Sequence, residues 1–400
     1  MSTLTATIQN LSLGDPSFLT FNPIGENVWI RANFEHIPRY LIQIFTPQSA
    51  GSTDEFWAKS RDARYGNEFT AVDIFMRDND HVANMLNTHL RWKGKNGEPD
   101  NLTSWTSLWL FALQYIFHLH KNVRDASSFD AIKCCIIDTT LFPKGCFVRD
   151  TDLIRAYEQS NSDLHSFSNL RSRRHKTYTG SFYFGEYLSQ GALKIREKCK
   201  IVSAKDMIDR GLFILQPLLQ EFENWEMMER PPWANEVIRL REAFYNEELE
   251  IEQATDAQIQ ASIDIAELFG PRFRLPMAAG LIGLLPRRAN DAAMQKAFRS
   301  IPFTDTERRE CSHFENLPDD RLLPEVNQFQ HIMRGIYKDH CMQELVGHVS
   351  SIEALLRDIV HAERSPQPRG YQGLGNVLNR VAIIASLTES LAQDVLGGNT

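Results

Sequence analysis

The chain has 400 residues, which is more than a single hydrophobic core usually organises, so we expect two domains. Its hydrophobic (42%) and charged (24%) fractions are ordinary for a globular protein and exclude a disordered chain. The formal net charge of −8 argues against a protein whose whole surface wraps nucleic acid, although it leaves room for a local basic patch.

The cysteine content and the hydropathy of the sequence indicate the cellular compartment of the protein. The six cysteines are too few for a disulfide scaffold and lack the paired spacing of metal ligands, so we interpret them as buried thiols in a reducing compartment and expect no metal. The N-terminus lacks the basic and apolar regions of a secretory signal. No apolar stretch is long enough to span a bilayer. These observations predict a cytoplasmic protein without membrane contact.

The first half of the chain begins with a lead-in and a buried strand. Residues 1–35 carry few periodic signals and are interpreted as irregular. Arg39 then precedes Tyr40–Phe45, whose β-forming residues predict a short buried strand. Residues 46–70 are rich in glycine and small polar residues and predict a long loop. Asp80–Trp92 has the apolar spacing of an amphipathic helix.

Apolar segments follow in close succession. Leu102–Ser107 predicts a short strand that leads directly into a buried helix, Leu108–Leu119. Ile132–Thr139 predicts a second apolar strand, and Thr151–Tyr157 a short helix. Ser181–Leu188 is aromatic and predicts another strand. Together these segments predict a mixed α/β domain over residues 36–230.

The remaining residues, 231–400, have helical periodicity and predict a helical bundle. The boundary is placed at Pro231-Pro232-Trp233 because prolines interrupt regular structure there. Thr255 and Gln258 have the spacing of a capping box and predict the start of a helix that runs to Phe269. This region offers no evident chemistry, and the sequence does not indicate an oligomeric state.

Polar residues interrupt the predicted strands at three places. Arg39 stands at the head of the first strand, and a hydroxyl cluster ends the strand before the buried helix. Glu186 lies among aromatic residues of the strand Ser181–Leu188. The hydroxyl cluster consists of Ser104, Thr106 and Ser107, with Trp105 between the first two.

This order of an arginine, a Ser-Thr-Ser strand and a glutamate resembles the ADP-ribosyltransferase fold, over roughly residues 36–215. The resemblance implies an α+β fold whose mixed sheet carries an NAD cleft, followed here by the helical bundle. It implies a transferase or hydrolase acting on NAD or a related nucleotide, with Glu186 and Arg39 catalytic. The expected substrate-binding residues are Ser104, Thr106, Ser107 and Tyr183.

Two other interpretations remain open. Blocks such as PRYLIQIF and FGEYLSQGALKI resemble a widespread class of fungal proteins of unassigned role, and the tRNA-dependent, arginine-containing cyclodipeptide synthases of fungal secondary metabolism are similar in size. That alternative implies an aminoacyl-tRNA partner held by a basic run through its phosphates. The run comprises Arg171, Arg173, Arg174 and Lys176. The third interpretation is a non-catalytic binding module.

Overall fold

A computed structural model describes residues 18–93, 99–172, 182–245, 254–285, 292–298, 323–363 and 378–389. The protein is an α+β protein whose sheets are antiparallel. It forms two compact units, the first comprising Met1–Arg288 with Glu315–Phe329, and the second comprising Ala289–Phe314 with Gln330–Thr400.

The larger sheet has six strands in the order β6-β7-β4-β1-β5-β9, and the smaller has three in the order β2-β3-β8. Every pairing between these strands is antiparallel. The strands are β1 (Tyr40–Phe45), β2 (Ser52–Thr53), β3 (Trp57–Lys59), β4 (Leu102–Thr106), β5 (Lys133–Asp138), β6 (Val148–Arg149), β7 (Glu186–Gln190), β8 (Ala192–Lys194) and β9 (Cys199–Ser203).

The α-helices of the described residues are α1 (Ile30–Asn33), α2 (Arg61–Tyr65), α3 (Asn79–Leu90), α4 (Trp109–Lys121), α5 (Asp150–Tyr157), α6 (Ser162–Ser172), α7 (Ala204–Asp209), α8 (Leu212–Leu215), α9 (Ala234–Phe244), α10 (Asp256–Glu267), α11 (Pro271–Ile282), α12 (Ala292–Phe298), α13 (Pro324–Glu363) and α14 (378–389). Short 3-10 helices cover Gly25–Trp29, Phe34–His36, Glu68–Ala71, Ile74–Met76, Thr139–Leu141, Glu158–Ser160 and Pro217–Asn224. Within the described part of the chain, none of the helices is both long enough and apolar enough to cross a membrane.

Side-chain alternation along β4 and β7 divides the core between the two faces of the large sheet. On one face, Leu102 and Leu188 pack into an apolar cluster with residues of α3, α5 and α6. On the other face, Trp105 and Tyr187 pack into a second cluster with residues of β1 and β5. Ser104 lies two residues from Leu102 and therefore faces α3 and α6.

Several predicted elements differ from the observed ones. The predicted loop 46–70 contains two short strands and a helix, whose N-cap Ser60 accepts a hydrogen bond from the backbone of Ala63. The aromatic strand begins only at Glu186, because Gly185 has a φ of +61° and interrupts the extended backbone. The capping box of Thr255 and Gln258 is confirmed.

The first unit extends further along the chain than the boundary that the sequence predicted at residue 231. Helices α10 and α11 belong to the first unit. The Trp109 ring, on the buried helix α4, packs edge-on against Phe269 at 5.8 Å between centroids. A Cβ at Gly280 would lie 2.5 Å from the same indole, so α11 lies directly against α4. The buried apolar surface of α4 is the physical reason that these helices join the α/β part.

Candidate functional site

The three strands to which the sequence assigned polar functional residues lie side by side as β7-β4-β1. In the register, Glu186 lies opposite Thr106, and Thr106 lies opposite Ile42 of β1. Ser104 is two residues from Thr106 on the same face, which makes it the diagonal neighbour of Glu186. The sheet pairing thus brings the hydroxyl cluster and the glutamate together.

Ser104 is at the centre of a continuous hydrogen-bond network. Its Oγ lies 2.7 Å from Oε1 of Glu186 and 2.7 Å from Nε2 of His89, a residue of α3. The hydroxyl carries one hydrogen and faces two acceptors when the imidazole is neutral. Ser104 is only half-buried, so its oxygen is also reachable from the cavity that it lines.

The imidazole of His89 is fixed from its other side by Asp100. Nδ1 lies 2.9 Å from both carboxylate oxygens of Asp100, which also accepts the backbone N–H of Leu102 at 3.1 Å. Burial by itself would lower the pKa of His89, but the charges of Asp100 and Glu186 outweigh burial and raise it. Asp100 therefore favours the proton on Nδ1 and directs Nε2 towards Ser104.

The second oxygen of Glu186 is bound by an arginine. Nη2 of Arg171, at the end of α6, lies 2.5 Å from Oε2 of Glu186, and its Nε lies 3.1 Å from Asp150 at the start of α5. Nη1 donates to the carbonyl of Phe182 at 2.9 Å. The guanidinium is only 5% exposed and Asp150 is fully buried. Arg171 therefore fixes the orientation of Glu186 from within the protein.

Asp150 has an unusual protonation equilibrium. Burial, together with the neighbouring charge of Glu186, raises its pKa to about 7, although Arg171 acts in the opposite direction. Near neutral pH, the carboxyl group is therefore divided between its charged and neutral forms. The net charge of the group formed by Asp150, Arg171 and Glu186 consequently changes in this pH range.

A cavity of about 380 Å³ opens in front of Ser104 and Glu186, within the size range of small-molecule sites. One side is aromatic, formed by Trp92, Phe111, Tyr115, Phe184 and Trp233. The Phe111 ring stacks on Tyr115 and on Phe184, each at 5.6 Å between centroids. Lys59 and Arg61 bring positive charge to the lining. The cavity therefore offers flat apolar surfaces beside a polar centre.

The predicted site residues are placed as follows. Ser104, Thr106 and Glu186 line the cavity, but the Thr106 hydroxyl is engaged locally, donating to the carbonyl of Phe184 and accepting from the backbone of Leu108. Ser107 lies outside the lining, with its Oγ 3.5 Å from the Gly185 carbonyl.

Arg39 does not line the cavity. Its guanidinium forms a two-point contact with Asp138 at 3.1 and 3.2 Å, across the pair β1-β5. Arg171 is the arginine that reaches Glu186. Tyr183 is buried in a small cluster with Leu108 and Val326.

The basic run is described only in part. Arg171 points inward and belongs to the network, so its guanidinium is not a surface group available to a phosphate backbone. Arg173, Arg174 and Lys176 lie outside the described residues. Their suggested contact with RNA stays a prediction.

Sequence reasoning missed His89, Asp100 and Asp150. Asp100 follows a sequence rich in glycine and lysine, and Asp150 begins a helix after a two-residue strand. Nothing in their spacing distinguishes them from surface residues. They are recognisable only because the sheet and α3, α5 and α6 bring them to one place. In the described ranges, no group of three or more His, Cys, Asp or Glu side chains has the arrangement of a metal site.

The fold and cavity define this chain as an α+β protein with a hydrogen-bonded acid, imidazole and hydroxyl at the base of an aromatic cavity. No protein-family model matches the sequence, and comparisons with curated proteins and with solved structures found no significant similarity. The functional argument therefore depends on the geometry of this site.

Proposed function

We propose that the protein is a transferase or hydrolase of ADP-ribosyltransferase type that acts on NAD or a related nucleotide. The observation that carries the proposal is the position of Glu186, which projects into an aromatic cavity while Ser104 and Arg171 each donate to one of its oxygens. A carboxylate held by two donors keeps a fixed position relative to a bound substrate.

The proposed chemistry is cleavage of the bond between nicotinamide and ribose. As this bond breaks, positive charge develops on the ribose, and nicotinamide leaves with the bonding electrons. A preorganised carboxylate such as that of Glu186 stabilises this charge and binds a ribose hydroxyl. Water or a second substrate then forms the new bond to the ribose.

Binding of NAD would use the two kinds of surface that the cavity presents. The rings of Phe111, Tyr115 and Trp233 line the cavity and supply apolar surface against which nicotinamide or adenine can pack. Lys59 and Arg61 supply positive charge for the diphosphate. Arg39, which the resemblance made catalytic, would instead stabilise the pair β1-β5 through Asp138.

Release of nicotinamide from NAD by the purified full chain tests the proposal. Glu186→Gln keeps the size of the side chain but removes its charge, and we expect turnover to fall by at least ~100-fold. Glu226→Gln, at an exposed glutamate, is the matched control and should behave as the wild type. If the wild type neither binds NAD nor releases nicotinamide, the proposal is wrong.

Two further experiments separate the alternatives. New cyclic dipeptides in cells that express the chain, together with loss of activity after RNase treatment in vitro, would favour the tRNA-dependent synthase over the NAD enzyme. A protein that neither turns over NAD nor forms dipeptides would favour the binding module.

A further inference from the structure

The contacts of Ser104 match those of a catalytic nucleophile. A serine hydroxyl becomes reactive when an imidazole accepts its proton and a carboxylate orients that imidazole. Here Nε2 of His89 lies 2.7 Å from Oγ of Ser104, and Nδ1 lies 2.9 Å from the Asp100 carboxylate. We propose that Ser104 is a nucleophile that accepts acyl groups from activated esters, an activity separate from the NAD reaction.

Three different parts of the fold hold this arrangement in place. Ser104 is in the middle strand of the trio β7-β4-β1, His89 is in the last turn of α3, and Asp100 immediately precedes β4. The backbone N–H of Leu102 donates to Asp100, which fixes the carboxylate relative to the strand that carries Ser104. The nucleophile and the group that orients its base therefore belong to one short segment.

The protonation state of His89 decides when the hydroxyl of Ser104 is activated. When His89 is protonated, its Nε2–H donates to Oγ, and the hydroxyl of Ser104 donates to Glu186. When His89 is neutral, Nε2 can accept the hydroxyl proton instead. The charged groups facing His89 are Asp100, from the segment before β4, and Glu186, from β7, with Arg171 of α6 bound to the latter. The base form appears as pH rises.

Ser104 and His89 can carry out the acylation without any further reactant besides the ester. Oγ of Ser104 attacks the carbonyl carbon of the ester while its proton passes to Nε2 of His89. The bond to the leaving alcohol breaks, and the alcohol takes that proton from His89, which yields an acyl-serine and a neutral imidazole. Water can then attack the acyl-serine with His89 again accepting the proton, which releases a carboxylic acid and restores the hydroxyl.

The cavity indicates the class of acyl donor. The aromatic surfaces of Phe111, Tyr115 and Phe184 lie on the lining with Ser104 and suit a flat or apolar acyl group. Ser104 itself is half-buried, so an ester carbonyl reaching its Oγ is largely removed from water. Activated esters of aromatic or short apolar acids are therefore the substrates to test.

Labelling by a fluorophosphonate, which forms a bond between phosphorus and a nucleophilic serine oxygen and releases fluoride, tests the proposal. We expect one adduct by intact mass, located at Ser104 by peptide mapping, and hydrolysis of p-nitrophenyl acetate with a burst of one p-nitrophenol per chain. His89→Gln should slow labelling by a factor of about 10²–10⁴. Ser166→Ala, at an exposed serine of α6, is the control and should label as the wild type.

A pH series on the unmodified chain gives a test that does not depend on whether a variant folds. The labelling rate should rise with pH, over a range shifted above the ordinary pKa of a histidine, as His89 loses its proton. No adduct, an adduct at another residue, or a rate at Ser104 that neither pH nor His89→Gln alters would overturn the proposal. Labelling without NAD turnover would refute only the proposed NAD function, and NAD turnover without labelling would refute only this one.

Discussion

Replacing Arg171 by methionine should destabilise the first unit strongly. Methionine retains an unbranched apolar stem that can pack on the rings of Phe167 and Phe184, which the guanidinium now covers at 4.8 and 5.5 Å. It removes the positive charge next to Asp150 and the donor to Glu186. The variant therefore isolates the electrostatic part of the interaction from most of the packing.

The expected loss follows from the burial of these groups. Removing one partner of a buried ion pair typically costs about 3–5 kcal/mol because the other charge remains buried without compensation. Asp150 is fully buried and Glu186 is 14% exposed, so the loss should be dominated by Asp150. Because the pKa of Asp150 is about 7, the loss should be larger at pH 8 than at pH 5, where this carboxyl group is mostly protonated in the wild type.

Urea unfolding at pH 5 and pH 8 measures this effect, together with a double-mutant cycle that uses Asp150→Asn. The asparagine removes the charge that Arg171 neutralises, so we expect the two substitutions to couple by about 1–3 kcal/mol. A loss below about 1 kcal/mol for Arg171→Met at pH 8, or strictly additive effects, would refute the view that this ion pair organises the site. Arg239→Met removes exposed contacts to Glu221 and Glu236 and should cost only about 1 kcal/mol or less.

Three further predictions concern the same unit. Gly185→Ala should destabilise the protein by about 1–3 kcal/mol and impair any activity of Glu186, because φ is +61° and the new Cβ would lie 2.3 Å from Oγ of Ser107. Melting followed by circular dichroism measures the loss of stability, and turnover measures the loss of activity. Burial raises the pKa of Asp150, so its contribution to stability is complete below about pH 4 and is lost as the pH rises through about 7. The free energy of unfolding of Asp150→Asn should therefore increase relative to that of the wild type between pH 4 and pH 8. A difference that stays constant over this range would contradict the assignment. Glu325→Gln leaves the buried guanidinium of Arg241 without its carboxylate and should cost about 3–5 kcal/mol in denaturant unfolding, whereas the exposed substitution Glu221→Gln should cost less than about 1 kcal/mol.

Local sequence signals predicted the elements that carry the site. The apolar run Leu108–Leu119 predicted the buried helix α4, and β-forming residues predicted β1 and β5 to within one residue at their ends. The signals failed where a single residue changes the backbone, as at Gly185, which shortens the aromatic strand. The prolines after residue 230 also do not reveal that later helices of the first unit pack against Trp109.

The sequence by itself determined that Ser104 and Glu186 are polar residues placed among apolar strands, since side-chain type and alternation are local properties. Only the tertiary structure decided their partners. The order of the strands sets Glu186 beside Ser104, α3 brings His89 to the same hydroxyl, and α6 supplies Arg171. Hydrogen bonds require atoms within about 3 Å, and residues 15 to 82 positions apart meet at that distance only through the packing of the whole unit.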